Sequence, residues 1–256
     1  MRKAAALLPL VLLTAQARPD EKKPVLIPDV SQRSVRILYS FTGAELLLFG
    51  AILQPGNRVA EGKPVDIVVV VKGPTQSVLV REKEKVAGIW VNADRLRYRS
   101  APSFYAIASS RPIDELVDAR TRAIYELGLD SLQLSPASSA APDEQQRFQQ
   151  GLVDLKRRAG LYVIDNHAVE ITANVLYRAR VLIPARVPVG RFTAETFLIR
   201  DGRVLAAAVR PIDIQKAGFE RFVARAADRW SWTYGFVAVA LSLALGWLAD
   251  RIARRW

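Results

Sequence analysis

Two groups of residues carry charge at a spacing that could do chemistry. In LVREKEK (Leu79–Lys85), Arg81, Lys83 and Lys85 alternate with Glu82 and Glu84. In DRLRYRS (Asp94–Ser100), Arg95, Arg97 and Arg99 alternate with Leu96 and Tyr98. Successive side chains of a strand point to opposite faces, so each basic trio occupies one face if both segments are strands. Two such trios side by side would make a field for a small anion, a phospholipid headgroup or an acidic partner. A solvated edge strand carries lysines for a different reason, to discourage aggregation, and Glu82 and Glu84 show that the charge here is mixed. The six basic residues are the candidate anion or partner face.

Other chemistry falls away on inspection. His167 follows Asp165 and Asn166, which suggests a base with its orienting carboxylate. A triad needs a nucleophile placed by the fold, and no serine is nominated, so a structural histidine in a turn between two strands is expected, with pH sensing as the alternative. GNRVAEGKP (Gly56–Pro64) resembles a phosphate loop only faintly. Five residues separate Gly56 from Gly62, one too many, and Pro64 stands where a serine or threonine would hold magnesium. There is no G-x-S-x-G elbow and no G-x-G-x-x-G. With no cysteine and one histidine, disulfides, thiolate sites and multi-histidine metal sites are excluded. The expectation is no catalytic residue, no metal and no cofactor. Nucleic-acid binding is not expected either, since the basic segments lack the exposed aromatics of an RNA-reading sheet.

What must position the basic trios is a chain of 256 residues, half of them hydrophobic and 24% charged, which is long enough for one large domain or two small ones. The net charge is +12. Without Arg2 and Lys3 it is +10, and without the final tail (Arg251, Arg254 and Arg255 against Asp250) it is +8. That surplus suits an anionic partner, and equally a soluble surface that is simply rich in arginine.

Both ends are apolar. Residues 1–17 read as a signal peptide, with Arg2 and Lys3, an apolar run Ala4–Leu13, and the cleavage pattern Ala15-Gln16-Ala17. Residues 230–249 are free of charge, enough for a helix of roughly 30 Å, and read as a transmembrane helix. Trp230, Trp232 and Tyr234 crowd one end and Trp247 stands near the other, as interface anchors do. The arginine-containing tail 250–256 follows and is expected in the cytoplasm. Ala238, Ser242 and Gly246 recur every four residues and form a candidate helix-packing face.

The body, 18–215, reads as mainly β. VRILYSF (Val35–Phe41) and ELLLFGAIL (Glu45–Leu53) flank Thr42-Gly43-Ala44 as a hairpin-like join. Ile67–Val71 is all β-branched, as in a strand buried on both faces. A helical pair is inserted at about 111–160. Its first helix shares Ile113, Leu116, Ile124 and Leu127 on one face and ends at Gly128. Its second is capped by Asp143, with a stripe of Phe148, Leu152, Leu155 and Ala159. Strands then resume, with Asp201-Gly202 as a hairpin turn. Residues 216–229 form an amphipathic juxtamembrane helix. Nine or ten strands around an inserted pair predict an antiparallel β-sandwich, Ig-like, with chain from both sides of the insertion in the sheets.

DIVVVVKGPTQSVLVREKEKVAGIWVN, then PSFYAIASSRPIDEL and the closing apolar run, resemble the "Putative transmembrane protein" family of alphaproteobacteria. GIWVN (Gly88–Asn92) and PSFYAIAS (Pro102–Ser109) are its more specific motifs, and the resemblance extends from about FTGAELLLFGAI to the apolar run. It implies a protein anchored in the inner membrane with a periplasmic body, and a sulfite-exporter-type permease as partner. It implies no catalytic residue. The expectation is a non-enzymatic binding or accessory module for a permease or another envelope protein. A small-oxyanion-binding accessory to transport is the alternative, and an envelope enzyme working through His167 ranks third.

Overall fold

The computed structural model describes residues 24–37, 43–53, 64–138, 140–216, 227–228 and 231–253. The chain begins with β1 (Val25–Val30), β2 (Ser34–Ile37), β3 (Gly43–Leu53) and β4 (Asp66–Lys72). A long hairpin follows, β5 (Thr75–Val86) and β6 (Ile89–Pro102), and then β7 (Tyr105–Ser109). Helices α1 (Ile113–Leu116) and α2 (Ala119–Tyr125), the two-residue strand β8 (Ser135–Pro136) and helix α3 (Pro142–Arg158) form the insertion. Strands β9 (Tyr162–Asp165), β10 (Val169–Thr172), β11 (Leu176–Pro184), β12 (Gly190–Arg200) and β13 (Arg203–Lys216) complete the body. Helix α4 (Ser231–Ala253) closes the described chain.

Two sheets pack face to face. One has the order β1-β3-β11-β10 and the other β2-β13-β12-β4-β7-β9. Strand β4 shows why they stack. Its alternate residues Ile67, Val69 and Val71 belong to the cluster between the sheets, with Leu46, Leu48, Ile52, Tyr177 and Ile183 across from them. The intervening Val68 and Val70 belong to a second cluster, covered by Ile113, Leu116, Val117 and Leu127 of the insertion. A strand with apolar residues on both faces must have a layer on each, and the expected doubly buried strand is found here. At about 1.5–3 kcal/mol for each fully buried aliphatic side chain, these five residues alone contribute on the order of 10 kcal/mol before entropy is counted. A third cluster, Val80, Leu96, Tyr98 and Ala101 with Phe148 and Leu152, joins the β5–β6 hairpin to α3.

The mainly-β sandwich with an inserted helical segment matches expectation, and chain from both sides of the insertion does enter both sheets. The sandwich is not wholly antiparallel. β2 runs parallel to β13 and β9 parallel to β7, at the two edges of the six-stranded sheet. β2 and β3, expected as the arms of a hairpin about Thr42-Gly43-Ala44, do not pair: β2 goes to one sheet and β3 to the other, where it has β1 and β11 on its two sides. Thr42 lies outside the described residues. The first inserted helix breaks at Asp118, whose carboxylate accepts from the Thr121 amide at 2.8 Å and caps α2. The break rotates the apolar stripe, so Ile113, Leu116 and Leu127 are buried while Ile124 is exposed. Asp143 is not the cap of α3. Pro142 occupies the first helical position and Asp143 the first turn, where its charge still suits the helix dipole. Leu155, expected on the buried stripe, is exposed, since the hairpin covers only Phe148 and Leu152.

Helix α4 has 23 residues, about 34 Å at 1.5 Å each, and lies where the apolar segment 230–249 was expected. Counted over the described residues, no helix is long and apolar enough to cross a membrane. The continuous stretch whose side chains are described, 235–251, ends on Asp250 and Arg251 and falls short of the roughly 20 apolar residues that a span needs. The segment 1–17 expected as a signal peptide, Trp230 and residues 254–256 of the tail lie outside the described residues, as does most of 216–229.

Candidate binding face

The two basic segments come together as neighbouring strands. β5 and β6 pair antiparallel, and Arg81 stands directly opposite Arg95. The join is a two-residue turn at Ala87 and Gly88, with φ of 50° and 87°. Positive φ at both central residues matches the right-handed twist of the flanking strands, and glycine takes the second position without strain. GIWVN (Gly88–Asn92) therefore supplies the second turn residue and the first four residues of β6.

Burial and ion pairing sort the charges by face. Val80 and Leu96 are cross-strand partners, and they and Tyr98 pack on α3. On that same side Arg147 of α3 meets Glu82 at 3.1 Å and Asp94 at 3.7 Å. The acids of the hairpin are thus drawn inward toward a helix arginine. Arg81, Lys83 and Lys85 alternate with them and take the opposite face. The register shifts between Arg81 and Lys83, but the extra residue falls on β6, so β5 keeps its alternation through Lys85. On β6, Arg95, Arg97 and Arg99 alternate with buried Leu96 and Tyr98 and face the same way as Arg81. Trp90, opposite Lys85, and Asn92, opposite Lys83, lie on this face nearer the turn.

All six basic residues are exposed. Arg99 reaches the Ala137 carbonyl at 3.0 Å. Among the described residues none of the other five has an acidic partner. The mixture of signs along LVREKEK is therefore a property of the sequence that the fold separates into two faces.

The other sequence candidates are placed apart from this face. His167 is exposed in the turn between β9 and β10, where its backbone amide donates to Asp165 at 3.3 Å. Among the described residues no nucleophile pairs with its imidazole. Ala238, Ser242 and Gly246 fall on one side of α4, with the Ser242 hydroxyl donating to the Ala238 carbonyl at 2.9 Å. Trp232 and Trp247 are exposed on α4, and Arg251 lies 5.2 Å from the Trp247 ring centre. The side chain of Tyr234 lies outside the described residues.

One charged cluster was missed. Lys72, at the end of β4, holds Glu126 at 2.7 Å and Glu195 at 3.2 Å. These line a cavity of about 310 Å³ with Tyr125, Gln133 and Phe197. Burial alone would lower the Lys72 ammonium, but the hydrogen bond to Glu126 and the charge of Glu195 hold it above its usual value. Burial pushes the Tyr105 hydroxyl well up, and it donates to the Glu126 carbonyl. A lysine kept charged is neither base nor nucleophile, so the cluster is a tie between the end of α2 and the sheet. The alternation Val68, Val70, Lys72 does put Lys72 on the helix-covered face. Nothing local to Glu126, which follows α2 in a left-handed conformation, marks it as the partner.

The family model described as "Putative transmembrane protein" matches residues 25–255. The chain belongs to that family. Its description agrees with a membrane location and names no activity. No curated protein matches the chain.

Proposed function

We propose that this family member is a non-enzymatic binding module of the cell envelope. In this reading residues 1–17 are removed on export, 230–249, of which 231–249 lie in helix α4, cross the inner membrane, the sandwich lies in the periplasm and 250–256 in the cytoplasm. The outward apolar side chains of α4, with Trp232 near one end and Trp247 beside Arg251 near the other, support the span.

The binding role is carried by one observation: a row of five exposed cations on the β5–β6 hairpin with no acidic partner among the described residues. A fold that turns Glu82 and Asp94 toward Arg147 while leaving those cations unmatched presents a complementary surface to something anionic. The row is open and runs roughly 20 Å along the strands, given about 3.3 Å for each residue. A small oxyanion needs donors converging on one point, so the geometry favours an extended anionic surface over a transported ion. A membrane protein, with a sulfite-exporter-type permease as the first candidate, would meet the small-residue side of α4.

The test is co-purification of the full chain in mild detergent. Gly246→Leu is a clean probe, since a Cβ at Gly246 would meet nothing within 4 Å. Its partner list is expected to shrink, and the Arg81→Gln, Arg95→Gln, Arg97→Gln variant is expected to retain less of the anionic material, protein or lipid, that co-purifies with the chain. Unchanged partners in both would end this reading.

A further inference from the structure

The hairpin carries a second feature beyond its cations: an uncovered apolar tip. Val86, Ile89, Trp90 and Val91 are 53%, 69%, 65% and 40% exposed. All four lie in the three cross-strand pairs next to the turn, Val86 with Ile89, Lys85 with Trp90, and Glu84 with Val91. The tight turn at Ala87 and Gly88 fixes these side chains at the apex of a paired ribbon. Large apolar side chains clustered in the open, rimmed by charge, mark an interaction surface.

The placement of charge around the tip says what kind. Trp90 shares its face with Lys85 and Lys83, and further back come Arg81, Arg95 and Arg97 with the partly exposed Leu79. Glu82 is turned away toward Arg147, and Glu84 lies on the reverse face together with its partner Val91 and the Val86–Ile89 pair, so Trp90 is the apolar tip residue on the cationic face. With the ribbon end-on to a bilayer both faces of its apex meet the surface together, the indole on the cationic side and the β-branched side chains on the other. The cations lie behind, which matches the layering of a bilayer surface. Lipid phosphates lie at the level where guanidinium and ammonium groups bind, and the boundary beneath them suits a ring that is half apolar and half wet. Cations alone would serve for an acidic protein; the exposed apolar tip is what a lipid surface adds.

We propose that the β5–β6 hairpin docks on an anionic phospholipid bilayer. The ribbon enters tip first: Val86, Ile89 and Trp90 at the apex reach the boundary between headgroups and acyl chains, and Lys83 and Lys85 just behind them lie at the phosphates. Arg81, Arg95 and Arg97 further back add to the field that draws the hairpin to the surface. This rests on the hairpin being a binding face and names its ligand.

The chain has no cysteine, so Ile89→Cys gives one attachment point for a fluorophore and Gln150→Cys on α3 gives a control. Each full-length variant is purified and reconstituted in vesicles of phosphatidylcholine alone or with phosphatidylglycerol, both doped with nitroxide-labelled acyl chains. The probe at 89 is expected to be quenched in the phosphatidylglycerol vesicles, and the probe at 150 is not. With about fivefold in binding for each basic residue near an anionic surface, Arg81→Glu, Arg95→Glu and Arg97→Glu together lower docking by roughly a hundredfold or more and abolish the quenching. Trp90→Ser weakens it with the unfolding midpoint unchanged. Equal quenching at 89 and 150 overturns the proposal. So does quenching at 89 that persists without phosphatidylglycerol and survives the charge reversal. Partner proteins are absent from this assay, so its result is independent of the co-purification above.

Discussion

Two sets of charged residues in this protein are treated in opposite ways. Around Lys72 the fold balances charge: one ammonium lies between Glu126 and Glu195, half-buried at the seam between α2 and the sheet. On the outer face of the β5–β6 hairpin it leaves charge unbalanced, in full exposure. The physical reason is solvation. A charge withdrawn from water must be paired or it costs several kcal/mol, whereas an exposed one is screened and costs little. The protein tolerates an unpaired cationic row only where water covers it until a partner does. The first set therefore reports on stability and the second on binding.

The sharpest test of that division is to place a charge where β4 is buried on both sides. Val70→Asp, at a position with no exposure, is expected to cost upward of about 4 kcal/mol and leave little folded protein, read as loss of the cooperative unfolding transition. Ile89→Asp at the hairpin tip should leave the unfolding midpoint in place. If both were tolerated, the layer over β4 would be wrongly assigned.

Next comes the paired cluster. Lys72→Met strands two carboxylates and is expected to cost about 2–3 kcal/mol in urea unfolding of the full chain in detergent. Adding Glu126→Gln and Glu195→Gln should recover much of the loss, as a coupled network requires. Additive losses would show that the three do not act together.

Alkaline pH separates the two sets without mutation. Burial holds the hydroxyls of Tyr105 and Tyr162 above their ordinary value of 10.0, and Lys72 is held above 10.5 despite its burial. A group whose folded value is raised contributes stability that is complete below its unfolded value and is lost as pH rises through the folded one. Stability is thus expected to be insensitive to these groups up to about pH 9 and to fall above about pH 10. Tyr105→Phe should flatten part of that fall. A fall of the same steepness in Tyr105→Phe and Lys72→Met would point elsewhere.

The smallest effects belong to the exposed set. Arg81→Gln, Arg95→Gln and Arg97→Gln are each expected to move stability by no more than about 0.5 kcal/mol, and His167→Ala likewise. A loss above about 1 kcal/mol at any of the arginines would mean that it has a structural partner and is not part of a free face.

Much of the architecture was legible because it rests on local pattern. The β-branched run Ile67–Val71 announced a strand covered on both faces, and Asp201-Gly202 announced the turn between β12 and β13, where both residues have positive φ. The alternation in DRLRYRS correctly placed Arg95, Arg97 and Arg99 on one face, because Leu96 and Tyr98 had to be buried. What was missed was non-local. The break at Asp118 follows from a cap competing with a continuous helix, and the parting of β2 from β3 follows from which neighbours β3 had already acquired.

The order of amino acids by itself determined the strand character, the two-sided burial of β4, the apolar helix near the C-terminal end and the basic trios, since each depends on residues a few positions apart. Only the tertiary structure decided that the trios lie side by side on one surface, that Glu82 and Asp94 turn away from them to Arg147, and that Lys72 finds Glu126 and Glu195. Those outcomes depend on which distant segments approach, and that is settled by how the layers bury their shared apolar faces, not by any short run of sequence.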